Sequence, residues 1–221
     1  NQGVIRCKID RPEVDFIKAL IGIPSAVVSD CLGKMGVMHS SIKPLAPGMA
    51  ICGAAITCLN PDYLLRKMAM DLSAKGDVLV IAAGGNTDYS CFGDRTAKKL
   101  MLKGLAGVVI DGSTRDSSGI RKLGFPVFTK GITPRNYHYP YEPRHGGVNV
   151  DVVCGGVLVS PGDLIIGDED GVVVVPRKQV NLKSSEIVNY YKKEQEKSNS
   201  VIKYKPFKVK KELKSLGYKF Y

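Results

Sequence analysis

The side chains best suited to chemistry lie in two short segments, each of which follows an apolar run. Gly93-Asp94 precedes a helical pattern, and Arg115-Asp116 follows the run Gly107–Asp111. A guanidinium beside a helix N-terminus is a good receptor for a carboxylate or an enolate. A site with two carboxylates and no histidine offers only oxygen ligands, which a hard divalent cation prefers, and such a cation keeps several of its bound waters. The residues alone therefore predict either an anion and metal site or a surface turn with an ion pair.

A predicted β-α-β crossover would bring these two segments together. Residues 77–82 and 107–111 are continuous apolar runs of strand length, which is typical of strands that are covered on both faces. The helix 94–103 connects them, so the strands are expected to be neighbours. Ligands bind at the carboxyl ends of such strands. Asp94 and Arg115 can therefore converge although twenty residues separate them.

The remaining pattern indicates an α/β protein whose second half is mostly β. Further helices are predicted over 11–21, 25–35, 62–74 and 178–197, and further strands over 48–58, 125–129, 150–160, 163–167 and 171–175. The acidic turn 168–170 could hold a metal, but Asp170-Gly171 is more typical of a hairpin turn. The last 20 residues are expected to form an extended arm.

Composition limits the class of protein. The chain has 221 residues, 44% of them hydrophobic and 24% charged, which is typical of one globular domain. It has no leader and no apolar stretch near the roughly 18 residues that span a bilayer, so a soluble, cytoplasmic protein is expected. No histidine, glycine-rich or nucleophile-elbow motif indicates a zinc, nucleotide or hydrolase site.

The cysteines form no C-x-x-C pair and are expected to be reduced and mostly buried: Cys7, Cys31, Cys52, Cys58, Cys91 and Cys154. The histidines are expected in loops or at the surface: His39, His138 and His145.

The net charge of +11 is concentrated near the C-terminus. Residues 177–221 contain 13 Lys+Arg and 4 Asp+Glu, whereas residues 1–176 contain 19 and 17. Lysines and aromatic residues alternate there: Tyr204, Phe207, Lys208, Lys210, Lys211, Lys214, Tyr218, Phe220 and Tyr221. The pattern fits either a solvated helix and arm packed on a neighbouring subunit or a site for single-stranded nucleic acid.

Five motifs resemble the RraA-like family. The family contains 4-hydroxy-4-methyl-2-oxoglutarate / 4-carboxy-4-hydroxy-2-oxoadipate aldolases and the regulator of ribonuclease activity A. The resemblance covers most of residues 20–195, and its diagnostic pattern is an Asp followed after twenty residues by Arg-Asp. The motifs are F-G-D at 92–94, G-V-V-I-D-G-S-T-R-D at 107–116, F-P-V-F-T-K-G at 125–131, C-G-G-V-L-V-S-P-G-D at 154–163 and D-E-D-G-V-V-V-V-P at 168–176.

The resemblance implies a β/β/α sandwich of the swivelling-domain type, assembled as trimers or dimers of trimers with sites between subunits. It also implies a class II aldolase or oxaloacetate decarboxylase that needs Mg2+, Mn2+ or another divalent cation. Such an enzyme releases pyruvate from a 2-oxo acid through an enolate. The implied domain spans residues 1–198, followed by the basic arm 199–221.

The resemblance also implies a role for each site residue. Asp116 ligates the metal, Arg115 binds the keto and enolate oxygens, and Asp94 orients metal-bound water. The backbone amides of Gly93, Asp94, Arg95 and Thr96 receive the substrate carboxylate. A neighbouring subunit adds an acidic residue from its C-terminal helix, for which the candidates are Glu194 and Glu196.

Two positions depart from the aldolase pattern. Aldolases of the family carry an Asn and a His where Tyr63 and Lys67 stand here, which leaves the choice of 2-oxo acid open. The Lys-rich arm is also atypical of the family. The alternative is therefore a non-catalytic regulator that binds a ribonuclease or RNA.

Overall fold

The computed structural model describes residues 3–59, 62–136, 145–203 and 206–220. His138, Tyr204 and Tyr221 lie outside these ranges. The helices are α1 (Val14–Leu20), α2 (Ser25–Cys31), α3 (Tyr63–Leu72), α4 (Asp94–Lys103), α5 (Ser117–Leu123), α6 (Arg177–Asn199) and α7 (Lys210–Ser215). The strands are β1 (Val4–Ile5), β2 (Lys43–Pro44), β3 (Ile51–Leu59), β4 (Val78–Ala82), β5 (Ser90–Phe92), β6 (Gly107–Thr114), β7 (Val127–Ile132), β8 (Gly147–Val148), β9 (Val152–Cys154), β10 (Val157–Val159), β11 (Leu164–Asp168) and β12 (Gly171–Val175).

Four parallel strands in the order β3-β4-β6-β7 form the centre of the sheet. β4 and β6 are direct neighbours, as the crossover predicts, and their side chains alternate between two apolar clusters. Leu79 and Ile81 face one cluster, whereas Val78 and Val80 face the other. The continuous apolar runs of these strands thus reflect burial on both faces.

β3 pairs with three other strands, β4, β8 and β11, and its pairing with β11 creates the second layer of the sandwich. Its residues 55–59 pair with β4, whereas its residues 51–54 pair antiparallel with β11. β11 continues into β12 through a hairpin in which Asp168 faces Gly171. The β/β/α sandwich is therefore confirmed. The helices α3, α4 and α5 cover the parallel sheet, and α1, α2 and α6 add a layer outside β11 and β12.

Six elements were not expected from the sequence: the two-residue strands β1, β2 and β8, and the elements β5, α5 and α7. β5 and α5 are short elements on either side of the predicted site, and α7 interrupts the C-terminal arm, which is therefore not extended throughout. α7 is a six-residue helix with three lysines, and such a short segment has no apolar periodicity to reveal it. Among the described helices, none is long and apolar enough to cross a membrane.

A two-pronged ion pair anchors the N-terminal segment to the start of β4. Arg11 donates from Nε and Nη2 to the two carboxylate oxygens of Asp77, at 2.8 and 2.7 Å. The same carboxylate accepts the backbone N–H of Ala74 at 2.6 Å. The Asp77 side chain is only 2% exposed, so its charge depends on these three donors.

We expect Asp77→Ala to lower the free energy of unfolding by about 3 kcal/mol, because it leaves the Arg11 guanidinium and the Ala74 backbone amide without their acceptor. Urea unfolding followed by circular dichroism measures the change. Asp15→Ala is the matched control, since that side chain is 94% exposed and its change should stay within about 0.5 kcal/mol. Equal stability of the two variants would contradict the anchoring role of the pair.

Candidate active site

Two main-chain turns meet at the carboxyl end of the central sheet. The first leads from β5 into α4, and the second leads from β6 into α5. The carbonyl oxygen of Phe92 accepts the backbone N–H of Arg115 at 2.9 Å and the hydroxyl of Thr114 at 3.0 Å. These hydrogen bonds hold the start of α4 against the start of α5, and so bring together the two segments that the sequence singles out.

Asp116 lies against the start of α4 because Gly93 has no side chain. A Cβ atom at Gly93 would lie 2.5 Å from Oδ2 of Asp116, which is closer than real Cβ atoms approach. The same oxygen is 3.5 Å from Nε of Arg115. The side chains of Arg115 and Asp116 are 42% and 43% exposed, so this pair can exchange its partner for a ligand.

Asp94 makes the reciprocal contact. It is the first residue of α4, and its Oδ2 would lie 2.7 Å from a Cβ atom at Gly119, in the first turn of α5. Each helix therefore starts beside a carboxylate from the other segment. A negative charge is favourable there because the first turn of a helix has unpaired N–H groups. Gly119 is a site residue that sequence reasoning missed.

The start of α4 retains free donors. Gly93 is the N-cap and supplies no side-chain cap, and among the described residues no acceptor pairs with the backbone N–H groups of Asp94 and Arg95. The N–H of Thr96 instead donates to the carbonyl oxygen of Gly93 at 3.1 Å. An anion at this helix end would therefore be bound by the amides of Asp94 and Arg95, whereas the amide of Thr96 already donates a hydrogen bond within the turn.

Asp116 has a left-handed backbone, with φ of 55°. This conformation costs a non-glycine residue roughly 1 kcal/mol, although aspartate tolerates it better than most residues. It makes Asp116 the N-cap of α5, which allows the chain to reverse directly after Arg115. The sequence Asp-Ser-Ser-Gly at 116–119 carries the signal for this helix start, which the sequence analysis did not use.

A second ion pair supports the adjacent loop. Nζ of Lys130, in β7, lies 2.6 Å from Oδ1 of Asp111, in β6, and both side chains are largely buried. A Cβ atom at Gly85 would lie 3.0 Å from that Nζ, and the N–H of Gly85 donates to the Asp111 carbonyl at 2.9 Å. The loop between β4 and β5 is thus held on this pair. The spacing of Asp111 and Lys130 in the sequence does not predict this ion pair.

A cavity of about 660 Å³ opens beside this loop. Cys91 of β5 is part of its wall, together with Ala82 and Asn86 from the end of β4 and the following loop. Among the described residues, those that line the cavity do not include Asp94, Arg115 or Asp116. The charged cluster is therefore next to the cavity and more exposed to solvent.

The described residues contain no group of three or more His, Cys, Asp or Glu side chains that could hold a metal ion. Asp94 and Asp116 offer carboxylate oxygens, which suit a hydrated divalent cation, but one chain supplies no third acidic ligand in the described ranges. Glu194 and Glu196 lie on α6, which packs against α1 and α2, and Glu194 pairs with Lys197 at 2.7 Å. A role for either residue would require a neighbouring copy.

The acidic turn 168–170 has a structural role, as the hairpin interpretation predicts. The Asp168 carboxylate accepts the N–H and the hydroxyl of Ser25, each at 2.7 Å, and so caps the start of α2. It also accepts the N–H of Asp170 at 3.0 Å. The carboxylate is thus occupied by donors of its own chain.

Tyr63 and Lys67 form a local pair in the first two turns of α3. Nζ of Lys67 lies 4.2 Å from the centre of the Tyr63 ring. The pKa of Tyr63 is lowered, mainly by a hydrogen bond from Lys67. The positive charges of Lys67 and of Lys99 in α4 lower this pKa further. Basic residues of α3 and α4 therefore surround this phenol, where the aldolase pattern has an Asn and a His.

Neither described histidine belongs to the charged cluster. His39 is exposed and hydrogen-bonds the Ser41 hydroxyl at 2.9 Å, and His145 lines the cavity. The described part of the chain therefore places no histidine in the cluster of Asp94, Arg115 and Asp116.

A sequence model of the RraA-like family, described as Aldolase/RraA, matches residues 25–174. The chain belongs to the RraA-like family. A protein of Halalkalibacterium halodurans with the name "Putative 4-hydroxy-4-methyl-2-oxoglutarate aldolase" is 37% identical over 173 residues, which cover 77% of this chain and 81% of that protein.

Solved RraA-like structures share the fold. RraAS2 of Streptomyces coelicolor, described as an unusual member of the RNase ES inhibitor RraA family, has 32% identity and a TM-score of 0.74, over 89% of this chain and all of that chain. The RNA-processing inhibitor RraA of Thermus thermophilis has 25% identity and a TM-score of 0.62, over 70% of this chain and 93% of that chain. The RraA-like family thus includes relatives named as aldolases and relatives named as inhibitors.

The six cysteines are all free, as expected from the sequence. Burial raises the pKa of Cys58 and of Cys154 to about 12, and that of Cys91 to about 11. Cys7 is exposed. The thiol of Cys91, although close to the charged cluster, is protonated at neutral pH and is therefore not a nucleophile.

We expect one rapidly reacting thiol when the native protein is treated with a disulfide reagent at neutral pH, because only the thiolate attacks. Cys7→Ser should remove this fast phase, whereas Cys91→Ser should leave it unchanged. Absorbance of the released aromatic thiol measures both rates. A fast phase that depends on Cys91 would show that its burial is not maintained in solution.

Proposed function

We propose that this RraA-like protein is a divalent-metal-dependent carbon–carbon lyase. Its substrate would be a 4-hydroxy-2-oxo acid, such as 4-hydroxy-4-methyl-2-oxoglutarate, or oxaloacetate, and its product pyruvate. The observation that carries the proposal is the convergence of Arg115, Asp116 and the free amides at the start of α4 on one exposed point. The aldolase names of relatives support the same reaction class.

Substrate binding follows from the donors present. The C1 carboxylate would be received by the backbone N–H groups of Asp94 and Arg95, where the helix dipole favours an anion. The guanidinium of Arg115 would then face the 2-oxo oxygen. Binding two neighbouring oxygens of the 2-oxo acid from two directions would fix the orientation of the substrate.

Bond cleavage moves negative charge onto the oxygen that Arg115 faces. A water oriented by Asp94 would accept the proton of the C4 hydroxyl, with the Asp94 carboxylate stabilising that proton, as the C3–C4 bond breaks and its electron pair forms the pyruvate enolate. The same proton, returned through this water to C3, would give pyruvate, and the other fragment would leave as a carbonyl compound. In oxaloacetate the same bond breaks with loss of CO2, so one enolate serves both reactions.

Asp116, with Asp94 through water, would hold the cation on this chain. When bound, a divalent cation stabilises negative charge on the substrate oxygens as a Lewis acid. The oxygen-only donor set and the partial exposure of the Asp116 carboxylate fit such a hydrated ion. A neighbouring copy in a trimer or a dimer of trimers would complete the ligands with Glu194 or Glu196.

A non-catalytic regulator is the second candidate function. Two solved relatives are described as an RNase ES inhibitor family member and an RNA-processing inhibitor. This candidate predicts no pyruvate release from any 2-oxo acid, whereas the lyase predicts release that stops when EDTA is added. A lactate dehydrogenase assay with three substrates, 4-hydroxy-4-methyl-2-oxoglutarate, 4-hydroxy-2-oxoglutarate and oxaloacetate, distinguishes the two.

We expect Arg115→Ala to lower kcat/KM for pyruvate release by roughly 100-fold or more, the effect of losing one donor to a developing oxyanion. Lys122→Ala is the matched control, since this lysine is an exposed cation on the adjacent helix α5 and should not affect turnover. Turnover of Arg115→Ala within about threefold of the parent would contradict its role.

We expect Asp116→Asn to weaken Mn2+ binding by at least about tenfold, because it removes the charged ligand but keeps the shape of the side chain. Electron paramagnetic resonance of free Mn2+ measures this without any substrate. Asp15→Asn removes an equal charge from an exposed helix and should bind as the parent does. Identical Mn2+ titrations for the parent and Asp116→Asn would exclude Asp116 as the ligand.

A further inference from the structure

The C-terminal arm, residues 199–221, is not covered by the rest of the chain. Every described side chain of the arm is exposed except Leu213, which is half-buried. Phe207 is 85% exposed, Tyr218 63% and Phe220 43%. Three exposed aromatic rings within one short segment are unusual for a surface without a binding partner.

The arm is also strongly basic. It contains seven lysines and one glutamate, a balance of +6. Lysines 210, 211 and 214 lie on α7, and Nζ of Lys210 is 5.1 Å from the centre of the Phe220 ring. Cationic groups therefore lie directly beside an exposed aromatic ring, so that one ligand could contact both.

We propose that this arm binds single-stranded nucleic acid. The lysines would neutralise phosphates, and Phe207, Tyr218 and Phe220 would stack on bases that are not paired. A duplex hides the faces of its bases, so the exposed rings favour a single strand. Within one chain, no described residue of the arm belongs to the charged cluster of Asp94, Arg115 and Asp116, and the proposed stacking and phosphate contacts use none of the residues assigned to the lyase.

The charge of the remaining chain argues against a second copy as the ligand. Residues 1–176 have a balance of +2, and residues 177–198, with six basic and three acidic side chains, have +3. Neither segment has a net negative charge that would complement an arm of +6, whereas a nucleic acid is a polyanion and does complement it.

The test measures fluorescence anisotropy of labelled oligouridylate and oligothymidylate with the full chain at several salt concentrations. Lys→Gln at 208, 210, 211 and 214 should reduce the salt slope by about 3, since each phosphate contact on a single strand contributes about 0.7. The matched control changes four exposed lysines outside the arm, at 8, 18, 75 and 122. It should retain the parent slope.

Stacking is tested separately from charge. Phe207→Ala with Phe220→Ala should weaken oligonucleotide binding at least about fivefold and leave binding of heparin, a polyanion without bases, unchanged. Tighter binding of oligouridylate identifies RNA as the ligand, and tighter binding of oligothymidylate identifies DNA.

Three results would overturn the proposal. They are no binding of either oligonucleotide at low salt, equal salt slopes for the two quadruple variants, or a loss of heparin binding as large as the loss of oligonucleotide binding in the variant with Phe207→Ala and Phe220→Ala. Sedimentation of the arm variants adds a fourth, because loss of self-association with unchanged oligonucleotide binding would assign the arm to a second copy. Pyruvate release by the same variants should equal that of the parent, so failure of this proposal is distinguishable from failure of the lyase.

Discussion

The candidate site depends on how closely the starts of α4 and α5 approach each other. The Phe92 carbonyl accepts two hydrogen bonds from the end of β6, and this fixes the separation of the two turns. Gly93 and Gly119 then leave just enough space for the carboxylates of Asp116 and Asp94. A side chain at either glycine would occupy the position of an oxygen, so the spacing of the backbone decides where the charges can lie.

This constraint also explains why two acidic groups are tolerated side by side. Each carboxylate lies at the first turn of a helix, where unpaired N–H groups favour negative charge, and Arg115 lies beside Asp116. The cluster remains partly exposed, so water limits the repulsion between the carboxylates. An exposed site of this kind can take up an anionic substrate and a hydrated cation without first removing a deeply buried charge.

The sequence predicts the part of the fold whose residues follow a strong apolar pattern. β4, β6 and α4 are found close to their expected bounds because burial on both faces, or on one stripe, leaves a clear periodic signal. β5 has three residues and α5 has seven, so neither carries enough residues for such a signal. The pairing of Lys130 with Asp111 depends on tertiary contact between neighbouring strands, which residue spacing does not encode.

The candidate site residues are predicted for a different reason. Asp94, Arg115 and Asp116 follow strands that the pattern places side by side, so their convergence follows from topology alone. The use of the Thr96 amide within its own turn, and the space provided by Gly119, depend on distances of a few tenths of an ångström. Such details arise only once the turns are packed against each other.

The distribution of charge separates the two ends of the molecule. Residues 1–176, which include the whole charged cluster, carry a balance of only +2, whereas the arm carries +6. Charges in water are screened beyond about 8 Å at physiological ionic strength, so the arm's lysines affect only ligands that reach the arm itself. The proposed lyase chemistry would therefore depend on the local charges of Arg115 and Asp116 and not on the net charge of the protein. The net charge of +11 thus comes mainly from residues 177–221. The electrostatics at the carboxyl end of the sheet depends instead on the few charged residues that lie there.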